Sequence, residues 1–290
     1  MKGNFYPVFA ILLILSGSVL WFSCNETEDA TDSTRASNVV TWDTDPAFFT
    51  DSMIETPCAF IPAMYTEDDP HTTIKYPAFV LQPGIYHGDE VTEEMKNADW
   101  YSILKGENET ILEGNEVTFA PAYDMVLDED TNMKTGIEVS GKIEKEVLIA
   151  NVGKLYKSTL IPVSLDTNVI LPGKSYYFEY GGVYYRMYAT AYRYKERGEG
   201  QYSIRNYKLF LEQQENGKMT KQLLVARPYL DDAYYTAHVF FAGDIDADGK
   251  PDLVLNVPMY NGLNTILYLS GKAEQGKLLK VMAVHLSVGC

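Results

Sequence analysis

Basic residues and histidines are scarce in this chain of 290 residues. It carries 24 lysines and arginines against 40 aspartates and glutamates, which gives a formal net charge of −16. Such an acidic surface repels phosphate groups, so the composition argues against nucleic acid as a partner. The four histidines form no paired metal-binding motif, and the sequence has no nucleophile elbow, phosphate loop or dinucleotide fingerprint. These absences favour a non-enzymatic role.

The longest apolar run lies near the N-terminus. A positive residue precedes the apolar Val8–Leu15, and the small residue Ser23 precedes Cys24, which is the order of an export signal. This junction resembles the signal of bacterial lipoproteins, in the loose form found in Bacteroidetes. The resemblance implies cleavage before Cys24, lipid attachment at Cys24 and an outer-membrane location, with surface exposure left open. An uncleaved membrane anchor and soluble secretion are the alternatives, since Phe5–Phe22 approaches the length of a membrane span.

Composition divides the chain into four regions. Residues 1–23 form the signal, and residues 24–40 are acidic, rich in threonine and serine and poor in large apolar side chains. The second segment cannot bury enough surface to order itself, so we predict a flexible tether. It is either a plain linker or a surface-export signal resembling those of Bacteroidetes lipoproteins. Residues 41–174 are predicted to form an N-terminal β-rich region, and residues 175–290 a C-terminal antiparallel β region.

Cysteine is limited to three residues, and assigning the lipid to Cys24 leaves Cys58 and Cys290. In an oxidising envelope compartment, a remaining pair of this kind is a candidate disulfide. It would tie the last residue of the chain to the start of the folded part. Two separate thiols are the alternative.

No long helical pattern is present, which argues against a helical bundle. Hairpins follow one another in the C-terminal region, with the tight-turn pairs Gly181-Gly182 and Asn216-Gly217 between runs of β-forming residues. We predict a mainly β fold, an antiparallel meander arranged as a sandwich, an open barrel or a blade-like sheet. One or two short helices at most are expected, with the best candidate at Asp89–Asn97 and Asp89 as its cap.

Tyrosine is concentrated between Tyr176 and Tyr207, where ten of the 22 tyrosines lie. Exposed aromatic side chains at this position would suit a glycan ligand, whereas the simpler interpretation is packing on pleated strands. Strand alternation puts Tyr184, Arg186 and Tyr188 on one face and leaves Tyr185 and Met187 for the other.

Residues 243–253 have the pattern of a loop that binds calcium. Asp244, Asp246 and Asp248 alternate with Ile245 and Ala247, so a curling backbone can turn all three carboxylates to one side. A glycine follows at once and permits the sharp turn. The loop contains no histidine or cysteine, which argues against zinc. The glutamate that closes an EF-hand loop is also missing, so the pattern is of another kind.

This segment resembles the calcium loop of FG-GAP and VCBS-type repeats, as in integrin α-chain propellers and many bacterial surface proteins. The resemblance implies that calcium is bound by Asp244, Asp246, Asp248, Asp252 and the carbonyl of Lys250. The family repeats the loop once per blade, whereas it occurs once here, so a full propeller is not expected. A solvated acidic turn is the alternative. If calcium binds, the interpretation we favour is a staple for a hairpin rather than a catalyst.

A second acid run, Asp128-Glu129-Asp130, lacks the glycine and the alternation of the first. We predict a solvated turn there, with a second ion as the alternative.

Together these features predict an exported, lipid-anchored calcium-binding β protein with a binding or structural role at the cell envelope. Its expected partners are the membrane, through the lipid at Cys24, and a glycan or protein ligand. The alternative is a calcium-dependent hydrolase or a carbohydrate-binding protein acting on surface glycans. Two carboxylates a few ångströms apart in a pocket away from the calcium loop would favour the hydrolase.

Overall fold

The computed structural model describes residues 48–50, 75–129, 132–143, 146–195, 202–230, 236–259 and 261–288. All of them belong to one unit, Val40–Cys290. The predicted signal and tether (1–40), the lipidation site Cys24 and the proposed disulfide partners Cys58 and Cys290 lie outside the described residues.

The described residues form seventeen strands and one short helix. The first half contains β1 (Phe48–Thr50), β2 (Phe79–Leu81), β3 (Gly84–Tyr86), α1 (Glu93–Lys96), β4 (Trp100–Lys105), β5 (Thr110–Asn115), β6 (Thr118–Ala122), β7 (Gly136–Ser140), β8 (Glu146–Ala150) and β9 (Ser158–Leu160). The second half contains β10 (Ser175–Tyr180), β11 (Val183–Lys195), β12 (Tyr202–Glu215), β13 (Lys218–Leu230), β14 (His238–Gly243), β15 (Asp252–Met259), β16 (Gly262–Leu269) and β17 (Lys280–Val288). The prediction of a mainly β fold with at most one or two short helices is therefore confirmed.

These strands form four sheets, with the orders β2-β8-β4-β5-β9, β3-β7-β6, β1-β11-β12-β13 with β10 also on β11, and β14-β15-β16-β17. Every pair of neighbouring strands is antiparallel except β1 with β11. Among the described residues none of the sheets closes into a barrel. The last sheet is a simple four-stranded meander, which matches the blade-like alternative of the prediction.

Both predicted tight turns are present. Gly181 and Gly182 have φ of 57° and 76°, and Asn216 and Gly217 have φ of 50° and 74°. Positive φ at both central residues is the backbone of a two-residue hairpin turn that matches the twist of its strands. The turns set the registers, with Tyr180 opposite Val183 in the first hairpin.

The predicted helix is shorter than expected, and its cap is a different residue. Helix α1 covers Glu93–Lys96, and its N-cap is Thr92, whose side chain accepts a hydrogen bond from the backbone N–H of Met95. The prediction of Asp89 as the cap was wrong because residues 88–90 form a separate turn. In that turn the N–H of Glu90 donates to the carbonyl of His87.

The meander β14–β17 lies between two other sheets. On one side Leu253, Leu255 and Ile266 share a buried apolar cluster with residues of β11–β13 such as Leu209. On the other side Val254 and Leu267 share a second cluster with residues of β4 and β8. Since alternate side chains of β15 enter different clusters, this sheet is buried on both faces.

A third apolar cluster lies around Trp100 and Leu148, where the small β3-β7-β6 sheet packs. Two of the three clusters contain residues from both sides of the proposed boundary at 174, and the boundary itself stays a prediction. Within the described ranges, no helix combines the length and the apolar content needed to cross a bilayer.

Candidate metal centre

The acidic loop connects β14 to β15 at one end of the middle sheet, where Gly243 pairs with Asp252. Ala247 and Gly249 have φ of 61° and 84°, so the chain curls twice through the left-handed region within three residues. Glycine adopts this conformation without penalty, whereas an alanine there costs about 1–2 kcal/mol. The loop is therefore a specific folded turn, and it keeps one strained residue.

Three of the predicted ligands meet. Asp244, Asp246 and Asp252 each offer a carboxylate oxygen, and these oxygens lie within 4.8 Å of one another. Like charges at such distances repel strongly unless a proton or a cation comes between them. A hard cation such as calcium binds carboxylate oxygens arranged in this way.

Four hydrogen bonds hold the carboxylate of Asp252 in place. Its side chain is fully buried. Oδ2 accepts the N–H groups of Ile245 at 2.7 Å and Asp246 at 3.3 Å, and Oδ1 accepts the N–H of Ser270 at 2.7 Å and its hydroxyl at 2.9 Å. Burial raises the pKa of Asp252 to about 7, and the neighbouring Asp246 carboxylate adds to the rise. A cation beside it would favour the ionised form.

Asp246 provides the observation that fits a metal best. Its Oδ1 is buried and has no hydrogen-bond partner. Burial first, and then the carboxylates of Asp248 and Asp244, raise the pKa of Asp246. A Cβ added to Gly271 would lie 2.6 Å from Oδ2 of Asp246, so the glycine leaves the space that this carboxylate fills. A buried acceptor without a donor is costly, and a bound cation would satisfy it.

Asp244 and Asp248 shape the rest of the loop. The carboxylate of Asp244 accepts the N–H groups of Asp248 at 3.1 Å and Gly249 at 2.8 Å. Oδ1 of Asp248 accepts the N–H of Lys250 at 2.9 Å and the hydroxyl of Ser270 at 3.0 Å. Asp248 is not one of the three residues whose oxygens converge. Its role as a ligand, and that of the Lys250 carbonyl, stay predictions.

Besides Gly271, two residues that the sequence did not indicate support the loop through hydrogen bonds. Ser270, at the end of β16, bridges Asp248 and Asp252 through its hydroxyl. Tyr180, at the tip of the β10–β11 hairpin, accepts the N–H of Asp244 at 3.2 Å. The next residue, Gly181, approaches so closely that an added Cβ would lie 2.8 Å from the carbonyl oxygen of Gly249. The loop is thus held by two sheets.

Residues 238–278 match the FG-GAP repeat family. The match covers β14, the acidic loop, β15 and β16, and it ends just before β17. It supports the resemblance drawn from the loop, and it suggests a β-rich domain with a binding or structural role. Searches of curated proteins and of solved structures gave no match to the chain.

Outside the repeat, the structure brings two other carboxylates together. Asp124 and Asp128 are both buried, so the prediction of a solvated turn at Asp128 was wrong. Asp124 accepts the N–H groups of Val126 and Leu127 and lies 2.5 Å from Nδ1 of His87. Asp128 accepts the N–H of Asp124 together with the N–H and hydroxyl of Thr135.

The Asp124–Asp128 pair therefore fixes a turn. The hydrogen bond that Nδ1 of His87 donates to the Asp124 carboxylate is the main cause of the raised pKa of His87. Both carboxylates are engaged by protein donors, which offsets the cost of burying them.

The tyrosine-rich strands follow the predicted alternation. Tyr185 and Met187 are buried in the core, whereas Tyr184 is 41% exposed on the opposite face. On that face Arg186 and Glu212 form a buried ion pair at 2.5 Å, and the hydroxyl of Tyr188 donates to Glu212 at 2.7 Å. Much of this face is therefore used for internal contacts, which reduces the aromatic surface available to a glycan.

Proposed function

We propose that this chain is an exported, lipid-anchored protein whose FG-GAP loop binds one calcium ion, and that it has a binding or structural role at the cell envelope. The observation that carries the proposal is the convergence of Asp244, Asp246 and Asp252 around an unpaired, buried oxygen of Asp246. Oxygen ligands from carboxylates and from a backbone carbonyl suit calcium, and the loop offers no softer donor.

The physical role of the ion follows from the connections of the loop. The loop joins β14 to β15, its Asp252 contacts Ser270 at the end of β16, and its Asp244 contacts Tyr180 of the neighbouring sheet. A bound ion would neutralise the carboxylates. It would therefore hold β14, β15 and β16 together with the β10–β11 hairpin of the neighbouring sheet. Extracellular modules often bind calcium at about 0.1–1 mM. At millimolar calcium the resulting stabilisation is about 1 kcal/mol.

The test compares melting temperatures of the purified protein in calcium, in magnesium and in chelator. We expect the melting temperature to rise in calcium and to rise less in magnesium, whose octahedral geometry is strict. The Asp246→Ala variant should lose the rise, while Asp99→Ala, an exposed acid outside the loop, should keep it. Equal melting curves in calcium and chelator for the unmutated protein would contradict the proposal.

The anchor is proposed from the sequence of residues 1–24. Its test is separate from that of the ion: Cys24→Ser should abolish labelling by a radioactive fatty acid and should release the protein from the membrane fraction. A variant that stays in the membrane would support an uncleaved anchor instead. Digestion of intact cells by an added protease would show whether the protein faces the exterior.

A further inference from the structure

A cavity of about 270 Å³ lies beside the acidic loop, between the meander β14–β17 and strands β11 and β12. One wall consists of Tyr185, Leu211 and Gln213, all of which are nearly inaccessible to solvent. The amide of Gln213 donates to the hydroxyl of Tyr185 at 3.3 Å, which orients both groups. This wall is therefore a preformed part of the core rather than a mobile surface.

The opposite wall is the connection between β16 and β17, residues 273–279. Gln222 of β13 fixes the end of this connection, because its Oε1 accepts the N–H groups of Leu278 and Leu279 and its Nε2 donates to the carbonyl of Leu279. A turn hydrogen bond from the N–H of Lys277 to the carbonyl of Glu274 adds rigidity. Both walls are thus held in place before any ligand arrives.

The chemistry of the lining is polar and nearly neutral. Neutral groups that can both donate and accept hydrogen bonds come from Tyr185, Gln213 and Gln275, and the Ser270 oxygen can still accept. Two lysines, Lys250 and Lys277, line the cavity, and so does the acidic Glu274. The exposed Asp248 of the adjacent loop and the overall charge of −16 oppose the remaining positive charge. An anion therefore gains little here, whereas a hydroxyl-rich molecule finds many partners.

The volume of the cavity further restricts the class of ligand. Pockets for drug-sized molecules usually have volumes of about 300–1,000 Å³. This cavity lies just below that range, so it suits a molecule of about the size of one sugar ring. Ala273 and Leu278, which are partly exposed, supply apolar surface for the carbon skeleton of such a ring. We propose that the cavity binds a neutral, polyhydroxylated ligand, such as one residue of a glycan, and that its affinity depends on the state of the acidic loop.

The affinity of the cavity should depend on the acidic loop because the two sites share residues. Lys250 and Pro251 belong to the loop and line the cavity, and Ser270 lines the cavity while its hydroxyl bonds to Asp248 and Asp252. Any rearrangement of the carboxylates therefore moves the cavity wall. This part of the inference rests on the proposed calcium site, and linkage requires that the ligand and calcium strengthen each other equally.

The experiment is saturation-transfer NMR on the purified protein with millimolar glucose, galactose, mannose or N-acetylglucosamine, each in calcium and in chelator. We expect transfer to at least one neutral sugar in calcium, with at least tenfold weaker binding in chelator. Gln213→Leu should abolish the transfer. Gln214→Leu changes the adjacent amide, which strand alternation turns to the other face of β12, and should leave transfer intact.

A second variant controls for the case in which Gln213→Leu fails to fold. Ala273→Phe fills the cavity from the β16–β17 connection without altering the core wall, and it should abolish transfer while preserving the calcium-dependent rise in melting temperature. Absence of transfer to all four sugars, in protein that retains that rise, would overturn the cavity proposal and leave the calcium site standing. Transfer that survives Gln213→Leu and Ala273→Phe would also overturn it. Stronger binding of galacturonate or glucose 6-phosphate would refute the neutral class, and equal binding in chelator would refute the coupling.

Discussion

Replacing Gly271 by alanine should weaken calcium binding without harming the metal-free fold. The added Cβ would lie 2.6 Å from Oδ2 of Asp246, whereas ordinary contacts begin at 3.4 Å, so the carboxylate has to move by about 0.8 Å. Metal–ligand distances tolerate deviations of about 0.2 Å. Disturbing the support of a ligand typically costs about 10–100-fold in affinity, which corresponds to about 1.4–2.7 kcal/mol.

The metal-free protein should be affected much less. The carboxylate of Asp246 is the end of a flexible side chain, and Gly271 has no left-handed φ that alanine would resist. We expect Gly271→Ala to change the free energy of unfolding of the metal-free protein by less than about 0.5 kcal/mol. The control is Gly114→Ala, where the new Cβ meets no atom within 4 Å. Calorimetric titration gives the dissociation constant for each variant, and an unchanged constant for Gly271→Ala would refute the placement of Asp246 at the ion.

Three further predictions concern the rest of the fold. Burial lowers the pKa of His285 to about 4. Between about pH 6.5 and 4 the unfolded chain therefore binds more protons than the folded chain, and the free energy of unfolding decreases as the pH is lowered. From pH 7 to 5, urea unfolding should show a loss about 2 kcal/mol smaller in His285→Gln than in the unmutated protein, and equal losses would contradict this. Tyr268→Phe leaves the buried carbonyl of Leu224 without its 2.7 Å donor and should cost about 1–3 kcal/mol in the same assay; a change below about 0.5 kcal/mol would show that the bond is dispensable. Mass spectrometry of non-reduced protein should find a peptide joining Cys58 to Cys290, and two alkylatable thiols would count against it.

Local patterns predicted the features that depend on neighbours in sequence. The two-residue turns at 181–182 and 216–217 require positive φ at both positions, and the glycine and asparagine residues there encode it directly. The alternation of β11 likewise separated Tyr185 and Met187 from Tyr184, Arg186 and Tyr188, and the structure shows that Tyr185 and Met187 enter the core. The loop at 243–253 could be identified because all five of its proposed ligands lie within nine residues.

The residues that local patterns missed act over long distances. Ser270 and Gly271 reach the loop from the end of β16, and Tyr180 reaches it from another sheet. Nothing in their immediate sequence indicates such a contact. The helix was placed too early for a similar reason: Glu90 accepts the N–H of Val288, almost at the other end of the chain, and is held in a turn.

One signal in the sequence could have been used more fully. The run Leu253-Val254-Leu255 is apolar without alternation, which is typical of a strand covered on both faces. The structure shows that β15 lies in the middle sheet and contributes to two clusters. That run therefore contained the information that the repeat lies between two layers, although the identity of those layers depends on distant strands.

The most direct test of the account is the number of calcium ions that the protein binds. Equilibrium dialysis of the metal-free protein against radioactive calcium at about 0.1–10 mM would measure it over the expected range of affinity. The convergence of Asp244, Asp246 and Asp252 predicts saturation at one ion per chain, and none in that range for Asp246→Ala. No saturable binding by the unmutated protein, or binding that Asp246→Ala leaves unchanged, would contradict the central claim.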